Sequence, residues 1–198
     1  HWRANEPVVA EVSDDHLLML QRTPLGRLYQ SWSSDNGTTW SQSEPTSLAS
    51  ALAPAALVRL PRTGDLLVIW NQASRDEIGR GMSRIRLSSA ISKDGGASWL
   101  RGRNVFSQYG EDDRRYVDPP PIGNYRAMEL APKLPVDSAG GRYPTITLWQ
   151  DQVVVQFQYS FRIPTDGSDN PTETGQLGGP VRIILPVSWF YQELRPFG

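Results

Sequence analysis

The amino-acid sequence predicts an all-β protein built from repeated units of about four strands each. Three segments share one pattern, a residue before proline followed by an apolar run, a turn and a second apolar run, and they begin at Glu6, Ala53 and Tyr143. A polar turn that ends in tryptophan also occurs twice with the same internal spacing. The first two segments begin about 47 residues apart, which matches the ~40–50-residue period of propeller blades. We therefore predict a β-propeller, with about three blades in this chain.

The duplicated turn is Ser33–Trp40 in its first copy and Ser92–Trp99 in its second. Serine, aspartate, glycine and tryptophan stand at the same offsets in both copies. An aspartate can fold its carboxylate back onto backbone N–H groups, and glycine tolerates positive φ. The tryptophan supplies a large apolar anchor under the turn. We therefore interpret Asp35 and Asp94 as structural residues and not as catalytic ones.

The strands of each unit follow from the residues in order. A residue before proline is pushed towards extended geometry, so each unit opens with a strand. The apolar runs Leu17–Leu20, Leu66–Ile69 and Val153–Val155 predict the second strands. Third strands at Arg27–Ser33 and Arg84–Ser92 lead into the two turns, and a fourth, outer strand is expected after each turn.

These strands predict blade units at residues 5–50, 51–105 and 141–192, with an inserted loop at 106–140. The insertion contains three consecutive prolines and should be a long surface excursion without a helical domain. It is either a roof over the central pocket or a solvent-exposed connection. In the third unit a polar loop, Thr165–Gly179, replaces the aspartate turn, and Val181–Tyr191 closes the unit with a β-rich apolar segment.

The composition of the 198-residue chain excludes several classes of function. Its net charge of −1 provides no field for attracting nucleic acid or an anionic membrane. No stretch approaches the ~20 apolar residues of a membrane span, so we expect no membrane insertion. Cysteine is absent and the two histidines are isolated, so we predict no metal and no organic cofactor. The compartment stays open, with secretion or the periplasm as candidates, and the start of the sequence indicates a mature or truncated product.

Four residues are candidates for chemistry at the centre of the predicted propeller. Glu6 and Tyr143 both precede the proline that opens a unit, where a side chain should face the central funnel, and Ala53 leaves room between them. A free tyrosine has a pKa of about 10, so a carboxylate within reach must take its proton if it is to act as a nucleophile. Arg22 and Arg84 would complement this pair, because planar guanidinium groups hold a substrate carboxylate through two parallel hydrogen bonds.

The turns and their flanking segments resemble the sialidase (neuraminidase) superfamily, in which this turn is the Asp-box or BNR repeat. Glu6-Pro7 with the downstream Arg22 resembles the segment of the general-base glutamate and one arginine of the substrate-binding triad. Arg84-x-x-Leu87 resembles the segment of another triad arginine, and Arg142-Tyr143-Pro144 resembles the nucleophile segment, although many members have serine after the tyrosine. Sialidases use a tyrosine nucleophile, unlike most glycosidases.

The resemblance implies a six-bladed propeller of which this chain is similar to the C-terminal half. It implies an exo-sialidase-like enzyme that removes a terminal sialic acid or a related acidic sugar with retention. Tyr143 and Glu6 would be catalytic, and Arg22 and Arg84 would bind the substrate carboxylate. The first triad arginine and the general-acid aspartate have no counterpart here, so the missing N-terminal half is an expected partner alongside an acidic glycan.

Several alternatives stay open on the residues alone. Glu6, Arg22 and Tyr143 have plain structural interpretations as strand-end or packing residues. Arg80 and Arg86 compete with Arg84 for the carboxylate-binding role, and Tyr125 and Tyr159 compete with Tyr143. Trp70, Asn71 and Gln72 end a strand at the level of Arg22 and are candidates for sugar contacts, with packing of Trp70 as the alternative. A non-catalytic Asp-box propeller that binds glycans or a protein is the competing function, since one fold hosts many activities.

Overall fold

The computed structural model describes residues 5–130, 135, 137–164 and 174–197, and these form three antiparallel sheets. The first sheet is a meander in which each strand pairs with the next along the chain. Its strands are β1 (Asn5–Ser13), β2 (His16–Arg22), β3 (Arg27–Ser33) and β4 (Glu44–Ala49).

The middle sheet continues the same pattern and gains a fifth strand from far along the chain. Its spatial order is β12-β8-β7-β6-β5, so the last described strand pairs with the fourth strand of this sheet. The strands are β5 (Ala56–Arg59), β6 (Leu66–Trp70), β7 (Arg86–Ser92), β8 (Leu100–Ser107) and β12 (Arg195–Pro196).

The third sheet has three long strands in the order β11-β10-β9. They are β9 (Ala139–Trp149), β10 (Gln152–Pro164) and β11 (Thr174–Pro186), and a 3₁₀ helix, Val187–Tyr191, follows. The predicted polar loop Thr165–Gly179 is wrong over its second part, because residues 174–179 pair with β10 as strand β11. Residues 165–173 of that loop lie outside the described residues.

The three sheets stand side by side with their first strands adjacent, as in part of a propeller. β1 contacts β5, and β5 contacts β9. One core cluster packs Leu18, Leu20 and Leu28 of the first sheet against Val68 and Trp70 of the middle sheet. The prediction of an all-β, partial propeller is confirmed.

A second cluster fills the space between the middle and third sheets. Here Leu67 and Ile69 of β6 meet Val153, Val155 and Phe157 of β10. Successive residues of a strand point to opposite faces, so β6 contributes to one cluster with its even-numbered residues and to the other with its odd-numbered residues. All five residues of β6 are fully buried. Because both faces of the strand are covered, its sequence is a continuous apolar run.

The connection between β8 and β9 packs on the protein and is not a fully solvated loop. Within it, Tyr125 is buried, its backbone N–H donates to Pro24 O at 2.8 Å, and its hydroxyl donates to Pro121 O. The connection contains the short helix α2 (Arg126–Leu130). This helix contacts a second short helix, α1 (Arg75–Gly79), which lies between β6 and β7. The described part of this connection is here called the roof, and its position over the central pocket stays a prediction. No described helix is long and apolar enough to cross a membrane.

Candidate functional site

Glu6 and Tyr143 share an unusual backbone geometry at the same place in their sheets. Each precedes a proline near the start of a first strand, and their φ angles are 46° and 52°. Each also lies in an interruption of the strand register, one between Asn5 and Val8 and one opposite the step from Gln156 to Gln158. Positive φ costs a residue with a side chain about 1–2 kcal/mol. Bulges and strained residues of this kind redirect side chains and cluster at functional sites.

The first candidate pair is Glu6 with Arg22, both in the first sheet. Asn5 pairs across the ladder with Arg22, which brings the arginine beside the bulge. Arg22 Nη1 lies 3.0 Å from Glu6 Oε2, and the exposed fractions of the two side chains are 16% and 45%. The Nε of Arg22 is buried, and the described residues offer it no hydrogen-bond partner. The ion pair therefore holds the arginine in place, and one of its donors stays unpaired within the described part of the chain.

The second candidate pair joins Arg84, just before β7, to Tyr143 on β9. The guanidinium carbon of Arg84 lies 5.3 Å from the centroid of the Tyr143 ring, within cation–π range. The backbone holds the two segments together, because Gly141 N–H donates to Arg84 O at 2.9 Å. Tyr143 is 52% exposed and borders a cleft of about 450 Å³ on the third sheet.

Ala53 occupies the position between these two pairs and is fully buried. Tyr125, Ile78 and the partly buried Met128 pack with Ala53 and Ala51 in a small cluster. The roof and α1 thus cover the segment that leads into β5. Among the described residues no hydrogen bond joins Tyr143 to Glu6, so the structure shows two arginine-containing pairs without a direct hydrogen bond between these two side chains.

For Trp70 the structure favours the packing alternative over contact with a sugar, and Asn71 and Gln72 are buried with it. All three side chains are fully buried. Trp70 Nε1 donates to Ala49 O at 2.8 Å, which ties the first sheet to the middle one. Asn71 Nδ2 donates to Gly141 O at 2.9 Å and to Arg86 O at 2.8 Å. These residues therefore fix the sheets on which the two pairs stand.

Arg86 has a structural environment that the sequence analysis missed. Its side chain is 1% exposed and pairs with Glu77, while its Nε lies 3.3 Å from Asp113 Oδ2. Burial opposes ionisation of Asp113, but hydrogen bonds from Ser107 and Arg115 outweigh it and lower the pKa of that carboxyl. Arg86 thus anchors the α1 segment and the roof to β7. The signal was present in the sequence, since an arginine in the otherwise small and apolar β7 must have buried partners.

The structure also shows where the alternatives to Arg84 and Tyr143 lie. Arg80 is exposed and caps the C-terminus of α1. Tyr125 is buried in the roof, and Tyr159 packs edge-on against Phe106 at 5.9 Å. Of the competing tyrosines, Tyr143 is the one that is more than half exposed. No group of acidic or histidine side chains that could hold a metal occurs in the described part of the chain.

Fold and site together define the class of protein as a partial β-propeller with a glycosidase-like fold. A model of the "BNR repeat-like domain" family matches residues 1–155. The chain therefore belongs to the BNR repeat-like domain family, which confirms the resemblance drawn from the two turns. No curated protein matches this sequence.

Solved structures with the same fold come from more than one class of glycosidase. The NanB sialidase from Streptococcus pneumoniae is 15% identical with a TM-score of 0.51, over 93% of this chain and 24% of its own. An α-L-arabinanase from Penicillium chrysogenum is 12% identical with a TM-score of 0.53, over 90% and 49%. An α-L-arabinofuranosidase from Fusarium graminearum is 15% identical with a TM-score of 0.51, over 91% and 46%. The chain thus spans between a quarter and a half of these structures.

Proposed function

We propose that this chain supplies part of the active site of an exo-sialidase-like glycosidase, which removes a terminal sialic acid or a related acidic sugar with retention. The observation that supports this proposal is the repetition of one local geometry. Glu6 and Tyr143 both stand at a strained bulge before proline, on first strands that flank β5, and each has an arginine against it. Strain repeated at corresponding positions is expected where two side chains serve one site.

In the proposed mechanism the hydroxyl oxygen of Tyr143 attacks the anomeric carbon while its proton passes to Glu6. The bond from the anomeric carbon to the leaving oxygen breaks, and the group that protonates that oxygen lies outside these four residues. Water then attacks the anomeric carbon of the glycosyl–tyrosine and loses a proton to the group that protonated the leaving oxygen. The bond from the anomeric carbon to the Tyr143 oxygen breaks, and Glu6 returns its proton to that oxygen to restore the phenol. A neutral nucleophile suits a sugar that carries a carboxylate beside the anomeric carbon, because an anionic one would be repelled.

Arg22 and Arg84 would bind the sugar carboxylate from the two sides of the buried Ala53. The ion pair between Arg22 and Glu6 gives this step a second role. A substrate carboxylate competes with Glu6 for Arg22, and its arrival releases Glu6 to accept the proton of Tyr143. Catalytic hydrogen bonds commonly shorten only in the substrate complex. The proposed proton transfer is therefore compatible with the absence of a Tyr143–Glu6 hydrogen bond among the described residues. The remaining blades of a propeller would be the structural partner.

One observation favours a second candidate function, a non-catalytic propeller that binds acidic glycans or a protein. No hydrogen bond joins Tyr143 to Glu6 among the described residues, and an arginine with an exposed tyrosine is sufficient for binding alone. The discriminating measurement is hydrolysis of an aryl sialoside and of an aryl arabinofuranoside by the full protein that contains this chain. We expect hydrolysis of the sialoside only, because a neutral furanoside gives Arg22 and Arg84 no carboxylate to bind.

The variants Tyr143→Phe and Glu6→Gln test the mechanism. Each should lower kcat for the sialoside by about 100-fold or more, since each removes a proton-transfer partner. Tyr109→Phe is the matched control, because Tyr109 is also exposed but its ring lies against Arg115, which belongs to neither candidate pair. A fluorinated sialic acid should label Tyr143, detected by mass spectrometry of the digested protein. Retained sialoside binding without turnover or labelling would assign the chain to the binding class.

A further inference from the structure

A second cleft, here called the arginine cleft, lies at the outer edge of the middle sheet. It has a volume of about 340 Å³, within the range of small-ligand sites. Strands β8 and β12 and the connection after β8 all contribute to it. Its lining consists of Arg101, Gly102, Arg114, Tyr116, Glu193 and Arg195.

The arginine cleft concentrates positive charge in a chain whose net charge is −1. Three arginines line it, with one carboxylate, that of Glu193. Arg101 and Arg195 are direct cross-strand partners in the β8–β12 ladder. Like charges directly opposite each other destabilise a sheet. An anion bound between them would offset this cost.

Two of the three guanidinium groups of the cleft, those of Arg101 and Arg114, are held in place by the protein. Arg101 lies 5.5 Å from the ring centroids of both Tyr116 and Phe197, and its Nε donates to Pro196 O at 2.8 Å. Arg114 Nε donates to Glu193 Oε2 at 3.0 Å. A guanidinium has five N–H donors, so these contacts leave most of them available. Groups fixed in this way lose little freedom when they bind an anion.

Glu193 adds a further indication of function. Its φ of 61° is a left-handed conformation that residues with side chains rarely adopt. This strained residue stands in the turn that returns the chain to β8 and places its carboxylate against Arg114. The carboxylate therefore holds Arg114 at the cleft, and the strained residue Glu193 itself lines the cleft.

We propose that the arginine cleft binds a tetrahedral oxyanion, a sulfate or phosphate group that is either free or esterified to a saccharide. Three guanidinium groups from three separate segments surround the cleft, which favours an anion with more than the two oxygens of a carboxylate. The cleft lies at the β12 edge of the middle sheet, whereas Glu6 and Tyr143 stand beside β5 at the other edge. The proposal therefore does not depend on the glycosidase proposal.

Titration calorimetry of the full protein with sodium sulfate, sodium phosphate and a heparin-derived sulfated disaccharide tests the proposal. Sodium chloride should be present at constant ionic strength, because arginine–anion contacts weaken with salt. We expect binding of at least one probe, weakened about tenfold or more by Arg195→Gln, since hydrogen bonds to charged groups are the strong ones. Tighter binding of the disaccharide would identify an ester as the ligand, and equal or tighter binding of a free anion would identify an inorganic ion.

Arg62→Gln is the matched control, because Arg62 is an exposed arginine whose partner is Asp151 on the third sheet. It should leave the affinity unchanged. Thermal unfolding provides a second readout: sulfate should raise the Tm of the wild-type protein and of Arg62→Gln more than that of Arg195→Gln. The proposal is overturned by no binding of any probe, or by equal loss of affinity in Arg195→Gln and Arg62→Gln.

Discussion

The two Asp-box turns of this protein have the same internal hydrogen bonds and different surroundings. In both, the serine hydroxyl donates to the aspartate, at 2.7 Å in the first turn and 2.8 Å in the second. In both, Oδ1 of the aspartate accepts a backbone N–H four residues on at 2.8 Å, from Thr39 and from Ser98. The aspartates therefore fix the turns, as the sequence predicted.

The surroundings differ because a neighbouring sheet covers only the second turn. Gly95 and Gly96 stand directly against Val12 and Leu18 of the first sheet, and Trp99 is 4% exposed. The first turn has no such cover among the described residues. Its Trp40 is half-buried and borders a surface cleft of about 380 Å³ with His16 and Trp32. The motif thus determines the turn, and the adjacent sheet determines how much stability its tryptophan contributes.

The largest expected effect of this difference is on tryptophan removal. Trp99→Ala should lower the free energy of unfolding by about 3–5 kcal/mol, because it leaves a cavity in the core between two sheets. Trp40→Ala should cost about 1–2 kcal/mol, since its side chain keeps much of its contact with water. Urea denaturation of both variants measures the difference. Equal losses would show that the surroundings of the two turns do not matter.

The next effect concerns the glycine at the same position in each turn. Gly37 and Gly96 both have positive φ, 86° and 96°, so replacement by alanine costs each turn about 1–2 kcal/mol of backbone strain. At Gly96 the new methyl group would also collide with the fully buried Leu18, whereas at Gly37 it would stand 3.3 Å from Leu17. We expect Gly96→Ala to lose about 1–3 kcal/mol more than Gly37→Ala, as overpacked cores do. Gly37→Ala serves as the control for the strain.

The smallest effect is on the acid dependence of stability, and here the two turns should behave alike. Hydrogen bonds from Thr39 and Ser33 lower the pKa of Asp35 to about 2. Burial raises the pKa of Asp94, but hydrogen bonds from Ser98 and Ser92 outweigh it and the net shift is downward. A lowered folded pKa contributes stability that is present above the unfolded pKa of about 3.9 and is lost as the pH falls below it.

Denaturation of the wild-type protein between pH 5 and about pH 2 should therefore show a fall in stability that is shallower in Asp35→Asn and in Asp94→Asn. Both variants should also be less stable than the wild type at neutral pH. A change in the slope for one variant only would show that the ionised carboxylate matters in one turn and not in the other.

The sequence predicted those parts of the molecule that depend on near neighbours in the chain. The Asp-box turns, the apolar run of β6 and the strands that contain Glu6 and Tyr143 all follow from residues within one unit. The sequence also placed Glu6 beside Arg22, because the two lie on consecutive antiparallel strands. Its assignment of catalytic and substrate-binding roles to Glu6, Tyr143, Arg22 and Arg84 stays a prediction.

The features that were missed depend on residues far apart in the chain. Asn71 is buried because its amide bridges Arg86 and Gly141, which belong to different sheets. Arg86 is neutralised by Asp113, a residue of the connection that nothing local assigns to β7. The bulges at Glu6 and Tyr143 were also unforeseen, since a residue before proline is ordinarily extended.

The return of β12 to β8 has a consequence for the order in which the protein forms. Arg101 donates from its side chain to Pro196 O beside this ladder, although 95 residues separate the two and the whole third sheet lies between them in the sequence. Contacts of such long range close late in folding, because the entropy of a large loop must be overcome first. The middle sheet is thus nucleated early by its hairpins and completed last, so during synthesis its outer edge stays open until the third sheet has emerged from the ribosome.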